Sequence, residues 1–189
     1  KKKSPVSSGV LQKMKILIFD SGPLINLSMN GLLEILEKLK KISGARFIIT
    51  PSVQKEVYDH PLGIRQFELG ALRIHNLLEK KILELPESLG IPKDKFNSAT
   101  QELMKLANHS LKAEEQWMQI VSEAETSCLA LAVELKNQGH DVMIAIDERT
   151  ARMLSEKPKN LEKTMSSRLH KNVNLVREIK ELREIKIIR

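Results

Sequence analysis

Two short apolar runs end in aspartate: KILIFD (15–20) closes on Asp20, and DVMIAID (141–147) closes on Asp147. Glu56 lies in the segment after a third run, RFIIT (46–50), and Glu125 opens the stretch that feeds Asp147, with Glu123 two residues before it. Two carboxylates about 4 Å apart repel by roughly 4 kcal/mol at an effective dielectric near 20. Acids gathered from four segments therefore need something positive between them. Hard oxygen donors suit Mg²⁺ or Mn²⁺, which takes few carboxylates and keeps several waters. Such a hydrated cation activates water and stabilises charge developing on a phosphoryl oxygen, so phosphodiester hydrolysis is the chemistry these residues suit. Histidine and cysteine are not required. The five His (60, 75, 109, 140 and 170) show no ligand spacing, and Cys128, inside the apolar SCLALA, reads as a small buried hydrophobe.

Each acid also has a plainer role available. Asp20 and Asp147 can cap helices, and Glu56, Glu123 and Glu125 can sit in first turns where the helix dipole favours them. That explanation has to succeed independently at four places. Arg149 and Arg152, just beyond Asp147, are candidate phosphate contacts, because a guanidinium matches phosphate geometry. Met104, Trp117, Met118 and Ile120 form a mixed stripe that reads as core or dimer packing, since an aromatic content of 3% leaves little for base stacking.

The acids must be positioned by elements, and a strand–helix alternation is legible. Strands are expected at 15–20, 46–50 and 141–147, with weaker ones at 82–85 and in the closing IKIIR. Helical periodicity covers 24–42 with a break at Gly31, 64–81, about 98–120, and 124–138 ended by Gly139. Thr50 and Pro51 form a helix start, as N-cap and first helical residue. ERTARMLSE reads as a short helix, 156–163 as a Lys-rich loop, and NLVREIKELRE as helical. Alternation of this kind implies parallel βαβ units, in which ligands bind beyond the carboxyl ends of the strands, near a topological switch point. Asp20 and Asp147 fall at such ends.

The 189 residues suit one domain, here 14–189, preceded by a basic tail at 1–13. Net charge is +7 overall but uneven: residues 1–15 carry +5, residues 149–189 carry +7, and the body between them carries −5. No apolar run approaches the ~18 residues of a membrane span. A single cysteine excludes a disulfide framework and points to the reducing cytoplasm. Neither G-x-G-x-x-G nor G-x-x-x-x-G-K-[ST] occurs, so dinucleotide and P-loop binding are unsupported. Haloacid-dehalogenase-type phosphatases expect a second Asp two residues after the first, and position 22 is Gly.

The strings ILIFDSGPLINL (16–27), IITPSVQKEV (48–57), SEAETSCLALAVEL (122–135) and VMIAIDERTARML (142–154) together resemble a PIN domain. The order and spacing are similar to the prokaryotic branch that includes VapC-type toxin ribonucleases. The resemblance implies a three-layer α/β/α fold on a central parallel sheet, with a helical insertion at about 60–120. It implies Mg²⁺ or Mn²⁺ held by Asp20, Glu56, Glu125 and Asp147, with Ser21 beside the first Asp and Glu123 as an alternative to Glu125. It further implies cleavage of single-stranded RNA (rRNA, tRNA or mRNA), homodimerisation, and a possible antitoxin partner. A catalytically silent PIN-like scaffold in an RNA-processing or toxin–antitoxin complex is the alternative.

Overall fold

The computed structural model describes residues 13–188; the basic tail expected at 1–13 lies almost wholly outside them. The chain runs β1 (Lys15–Phe19), α1 (Ser21–Met29), α2 (Glu34–Ser43), β2 (Arg46–Ile48) and α3 (Pro51–Gln54). A π-helical turn (Lys55–Asp59) and the short α4 (His60–Leu62) continue α3, and α5 (Glu68–Glu79), β3 (Leu83–Glu84) and α6 (Lys93–Asn108) follow. Then come β4 (Leu111–Ala113), β5 (Gln116–Trp117), α7 (Glu123–Asn137), β6 (Asp141–Ala145), α8 (Arg149–Glu156), α9 (Pro158–Leu169), β7 (Val173–Leu175) and β8 (Lys186–Ile188).

Five strands form a wholly parallel sheet in the order β3-β2-β1-β6-β8, flanked by helices, which is the α/β architecture expected. From β1 the chain winds one way through β2 and β3, then returns to β6 and winds the other way to β8. The switch point therefore lies between β1 and β6. Register pairs Ile16 with Val142 and Ile18 with Ile144, so four branched side chains share one face, all fully buried. Burying each contributes about 1.5–3 kcal/mol. On the other face, Phe19 and Phe47 meet edge to face with ring centroids 5.3 Å apart. No helix among the described residues is long and apolar enough to cross a membrane.

Several local expectations are corrected. Helix α6 starts at Lys93 and stops at Asn108, and 109–120 instead supplies the hairpin β4–β5 of a second, antiparallel sheet ordered β5-β4-β7. The 60–120 block is thus helical in its long segments, yet also contributes β3 to the main sheet and two strands to the small one. The supposed loop at 156–163 lies largely in α9, entered through Pro158 at a first-turn position where its missing N–H costs nothing. NLVREIKELRE holds β7 and a 3₁₀ turn at Lys180–Leu182, because its periodic Leu175, Ile179 and Leu182 dock on the body from an irregular path.

Thr50 behaves as read from the sequence. Its Oγ1 accepts from Val53 N at 3.2 Å, capping α3, and lies 2.6 Å from the buried Ser127 Oγ on α7. Ser127 in turn donates to Ala124 O at 2.7 Å. This buried hydroxyl pair pins the helix that leads to Glu56 against the helix that carries Glu125. Replacing Thr50 by Val keeps the side-chain shape but removes the cap and the link. We expect a loss of about 1–2 kcal/mol in urea unfolding; an unchanged midpoint would show that the pair fastens nothing.

Candidate functional site

At the carboxyl end of β1 the ladder extends one step further, with Asp20 N donating to Ala145 O at 3.0 Å. Asp20 and the loop after β6 are thereby held side by side across the switch point. An open cleft of about 590 Å³ lies there, lined by Asp20, Ser21, Gly22, Glu125, Asp147 and Glu148 and by the segment 119–122. No Lys or Arg is among its described lining residues.

Asp20 is 5% exposed, and its Oδ1 has no hydrogen-bond partner among the described residues. Burial pushes its carboxyl up from 3.8 to about 6 against the pull of the Ser21 amide, and the charges of Glu125 and Glu56 push the same way. Asp147 is held from α1: Asn26 Nδ2 donates to its Oδ2 at 2.5 Å. Gly22, one helical turn before Asn26, faces the same side chain, and a Cβ there would stand 3.4 Å from Asp147 Cβ. A residue larger than Ala at position 22 would crowd that carboxylate.

Glu125 belongs to a capping box. Ser122 N donates to Glu125 Oε2 at 2.7 Å, and Glu125 N donates to Ser122 Oγ at 3.2 Å. Burial raises the Glu125 carboxyl above the usual range despite that bond, with Glu148 and Glu56 adding to the rise. Glu148 caps α8, accepting from Thr150 N at 3.1 Å, and the Thr150 side chain first, with its amide, holds the Glu148 carboxyl below the ordinary value.

The remaining candidates stand apart. Glu56 does not line the cleft; it borders a neighbouring apolar groove with Ile25, Met29 and Phe67, although its charge is felt by Asp20 and Glu125. Glu123 faces away, accepting from Ser52 Oγ at 3.0 Å beside Lys55 and Lys93, so Glu125 is the acid of this pair that reaches the cleft. Arg149 is exposed at the start of α8, and Arg152 pairs with Glu156 at 3.1 Å, so neither lines the cleft. Cys128 is buried and burial pushes its thiol well up, consistent with an inert small hydrophobe.

Asn26 and Glu148 were missed from sequence. The signal for Asn26 was its i,i+4 relation to Gly22 on a helix beginning at Asp20; for Glu148 it was adjacency to Asp147 before a helix lacking any other cap.

Does the donor set suit a divalent cation? In kind it does: an unpartnered buried carboxylate oxygen faces a cleft lined by three further acids and no cation. In spacing it is open. Among the described residues no three Asp, Glu, His or Cys side chains are gathered closely enough to hold a metal ion as a ready-made group. Glu125 Oε2 is engaged by Ser122 and Asp147 Oδ2 by Asn26. Mg²⁺ needs only one or two direct carboxylates and keeps its waters, so a loose ring of acids around one free oxygen fits it.

No protein-family model, curated protein or solved structure matches this chain.

The raised Asp20 carboxyl makes stability fall with pH. Between 3.8 and about 6 the folded chain holds a proton that the unfolded chain has lost, so stability declines across that window and the penalty is complete above it. A shift of two pH units corresponds to about 3 kcal/mol. In EDTA, Asp20→Asn is therefore expected to melt above wild type at about pH 7.5, with the gap closing toward pH 4. Equal melting of the two proteins across that range would show that the carboxylate is not under strain.

Proposed function

We propose that this chain is a metal-dependent endoribonuclease of the PIN type that hydrolyses phosphodiester bonds of single-stranded RNA. The observation that carries the reading is the buried, unpartnered Asp20 oxygen at the switch point of a parallel sheet, inside a cleft whose charged lining is wholly acidic. A purely structural site gives no reason to hold an ionisable group there with further carboxylates around it.

Asp20, Glu125 and Asp147 are the residues that would hold Mg²⁺ or Mn²⁺, with Glu56 contributing negative potential from the flank. When bound, the cation supplies an activated water and a counter-charge for the phosphoryl oxygen. Asn26 orients Asp147, the β1–β6 ladder fixes Asp20 beside it, and the capping box fixes Glu125. Glu148, kept ionised by Thr150, adds charge at the rim. Unfilled, the cleft repels a phosphate; neutralised, it admits one. The toxin-like and RNA-processing roles share this chemistry.

The alternative, a catalytically silent PIN-like scaffold, is favoured by one observation: Glu125 and Asp147 already have hydrogen-bond partners, and the acids stand wider than a closed ligand shell. Cleavage of single-stranded RNA by wild type in Mn²⁺, in EDTA, and by Asp20→Asn separates the two readings. The nuclease reading expects activity only in the first. Absence of both cleavage and measurable Mn²⁺ binding would establish the scaffold.

Glu125→Gln gives a sharper test of that residue. The amide oxygen can still accept from Ser122 N, while the buried charge is gone. Its melting temperature in EDTA should equal or exceed that of wild type, while Mn²⁺ affinity by calorimetry and cleavage both fall at least about tenfold. Full activity in this variant would reduce Glu125 to a helix cap.

A further inference from the structure

The sequence reading placed Trp117 in a packing stripe, and the structure places its neighbours there but not Trp117 itself. Ile120 is buried and Met118 packs against the core, whereas Trp117 is 44% exposed. It is the chain's sole tryptophan. More than half of the Trp117 surface is covered by the chain, and the rest faces solvent.

Register sets Trp117 opposite Lys112, and Lys112 opposite Asn174, so the three lie in a row on the outer face of the small sheet. Lys112 Nζ stands 4.6 Å from the Trp117 ring centroid and 4.0 Å from the fully exposed Glu115 carboxylate, a pair that a phosphate would displace. The His109 ring is tilted beside the indole with centroids 5.0 Å apart. The indole is thus held in place by a cation and an imidazole rather than left loose. Two residues on, Gln119 is already in the wall of the acidic cleft; two residues span at most about 7 Å. A flat aromatic surface, a cation next to it and a hydrogen-bonding amide in line are the elements with which proteins hold single strands: the base stacks, the lysine takes a phosphate, and sequence hardly matters.

We propose that the outer face of the β5–β4–β7 sheet binds single-stranded nucleic acid. A nucleobase stacks on Trp117, Lys112 takes the adjacent phosphate, and the strand is led toward the cleft along 117–119. For its substrate class the proposal rests on the nuclease reading; its test does not depend on catalysis.

Because Trp117 is the only tryptophan, its emission reports this surface alone. Wild type in EDTA is titrated with an oligouridylate of about ten nucleotides, the matching oligothymidylate, and a duplex of the same length. Single strands should quench the emission with saturation, and the duplex should not. Stronger binding of the uridylate identifies RNA as the source, and stronger binding of the thymidylate identifies DNA. Trp117→Ala should weaken binding of the labelled strand by about tenfold, Trp117→Phe should recover most of that loss, and Lys112→Ala should lower both affinity and salt dependence. Unquenched emission on a strand that binds, unchanged affinity in Trp117→Ala, or no binding at all would overturn the proposal. So would a fall from dimer to monomer in Trp117→Ala at unaltered affinity, which would assign the surface to a second copy. Quenching without Mn²⁺-dependent cleavage would leave this surface standing and remove the nuclease; cleavage without quenching would do the reverse.

Discussion

A carboxylate buried at one end of a parallel sheet, with further acids near it, is the constraint around which this site is arranged. Asp20 is taken out of water, left with an oxygen that bonds to none of the described residues, and surrounded by acids whose fields oppose its ionisation. A fold does not hold such a group without rigid support. Here the support is the paired strands β1 and β6, whose buried isoleucine and valine side chains fill one face and whose ladder continues through Asp20 N. The energy of the apolar face is what holds the polar end in an unfavourable arrangement.

Around that pair, each acid is fixed by a different local device. Asn26 reaches across from α1 to Asp147, Ser122 ties Glu125 into the start of α7, and Thr150 engages Glu148. The Thr50–Ser127 hydroxyl pair ties the helix before Glu56 to α7. All are short hydrogen bonds: those of Glu125 and Glu148 are made where helices begin, whereas Asn26 and Ser127 act from inside α1 and α7. Helix starts carry spare N–H groups that acids can accept from, so acids placed at the ends of βα units acquire structural partners along with any chemical role. The site stands open because two of its acids are partly occupied, Glu125 by the start of its own helix and Asp147 by Asn26 of α1.

What the sequence disclosed follows from how strongly each segment is patterned. β1 and β6 are near-continuous apolar runs, as strands covered on both sides must be, and their terminal aspartates stood out for that reason. Thr50-Pro51 and Gly139 punctuate helices by well-understood chemistry and were equally legible. The small sheet was not. Its strands are two or three residues long, too short for alternation to register, and QW and VNL carry no turn signal of their own. α9 was concealed by its lysines, since only Pro158 and Leu161 of it are buried and most of its other residues are polar. In the opposite direction, Leu175, Ile179 and Leu182 fall at helical spacing by coincidence and are all directed inward by a path that is not a helix. For the acids, sequence gave the neighbourhood. Which of Glu123 and Glu125 turned inward was legible in part, since Ser122-x-x-Glu125 is the spacing of a capping box, whereas the Ser52 partner of Glu123 lies 71 residues away and has no local signal.

The ladder between β1 and β6 also sets what kinds of change this chain can absorb over evolutionary time. Successive side chains of a strand point to opposite faces, so dropping or adding one residue between Lys15 and Asp20 turns the terminal carboxylate to the other side. Exchanging Leu17 for another apolar residue does no such thing. The length of β1 is therefore held more tightly than the identity of its half-buried Leu17, while the fully buried Ile16 and Ile18 accept only apolar side chains of similar volume.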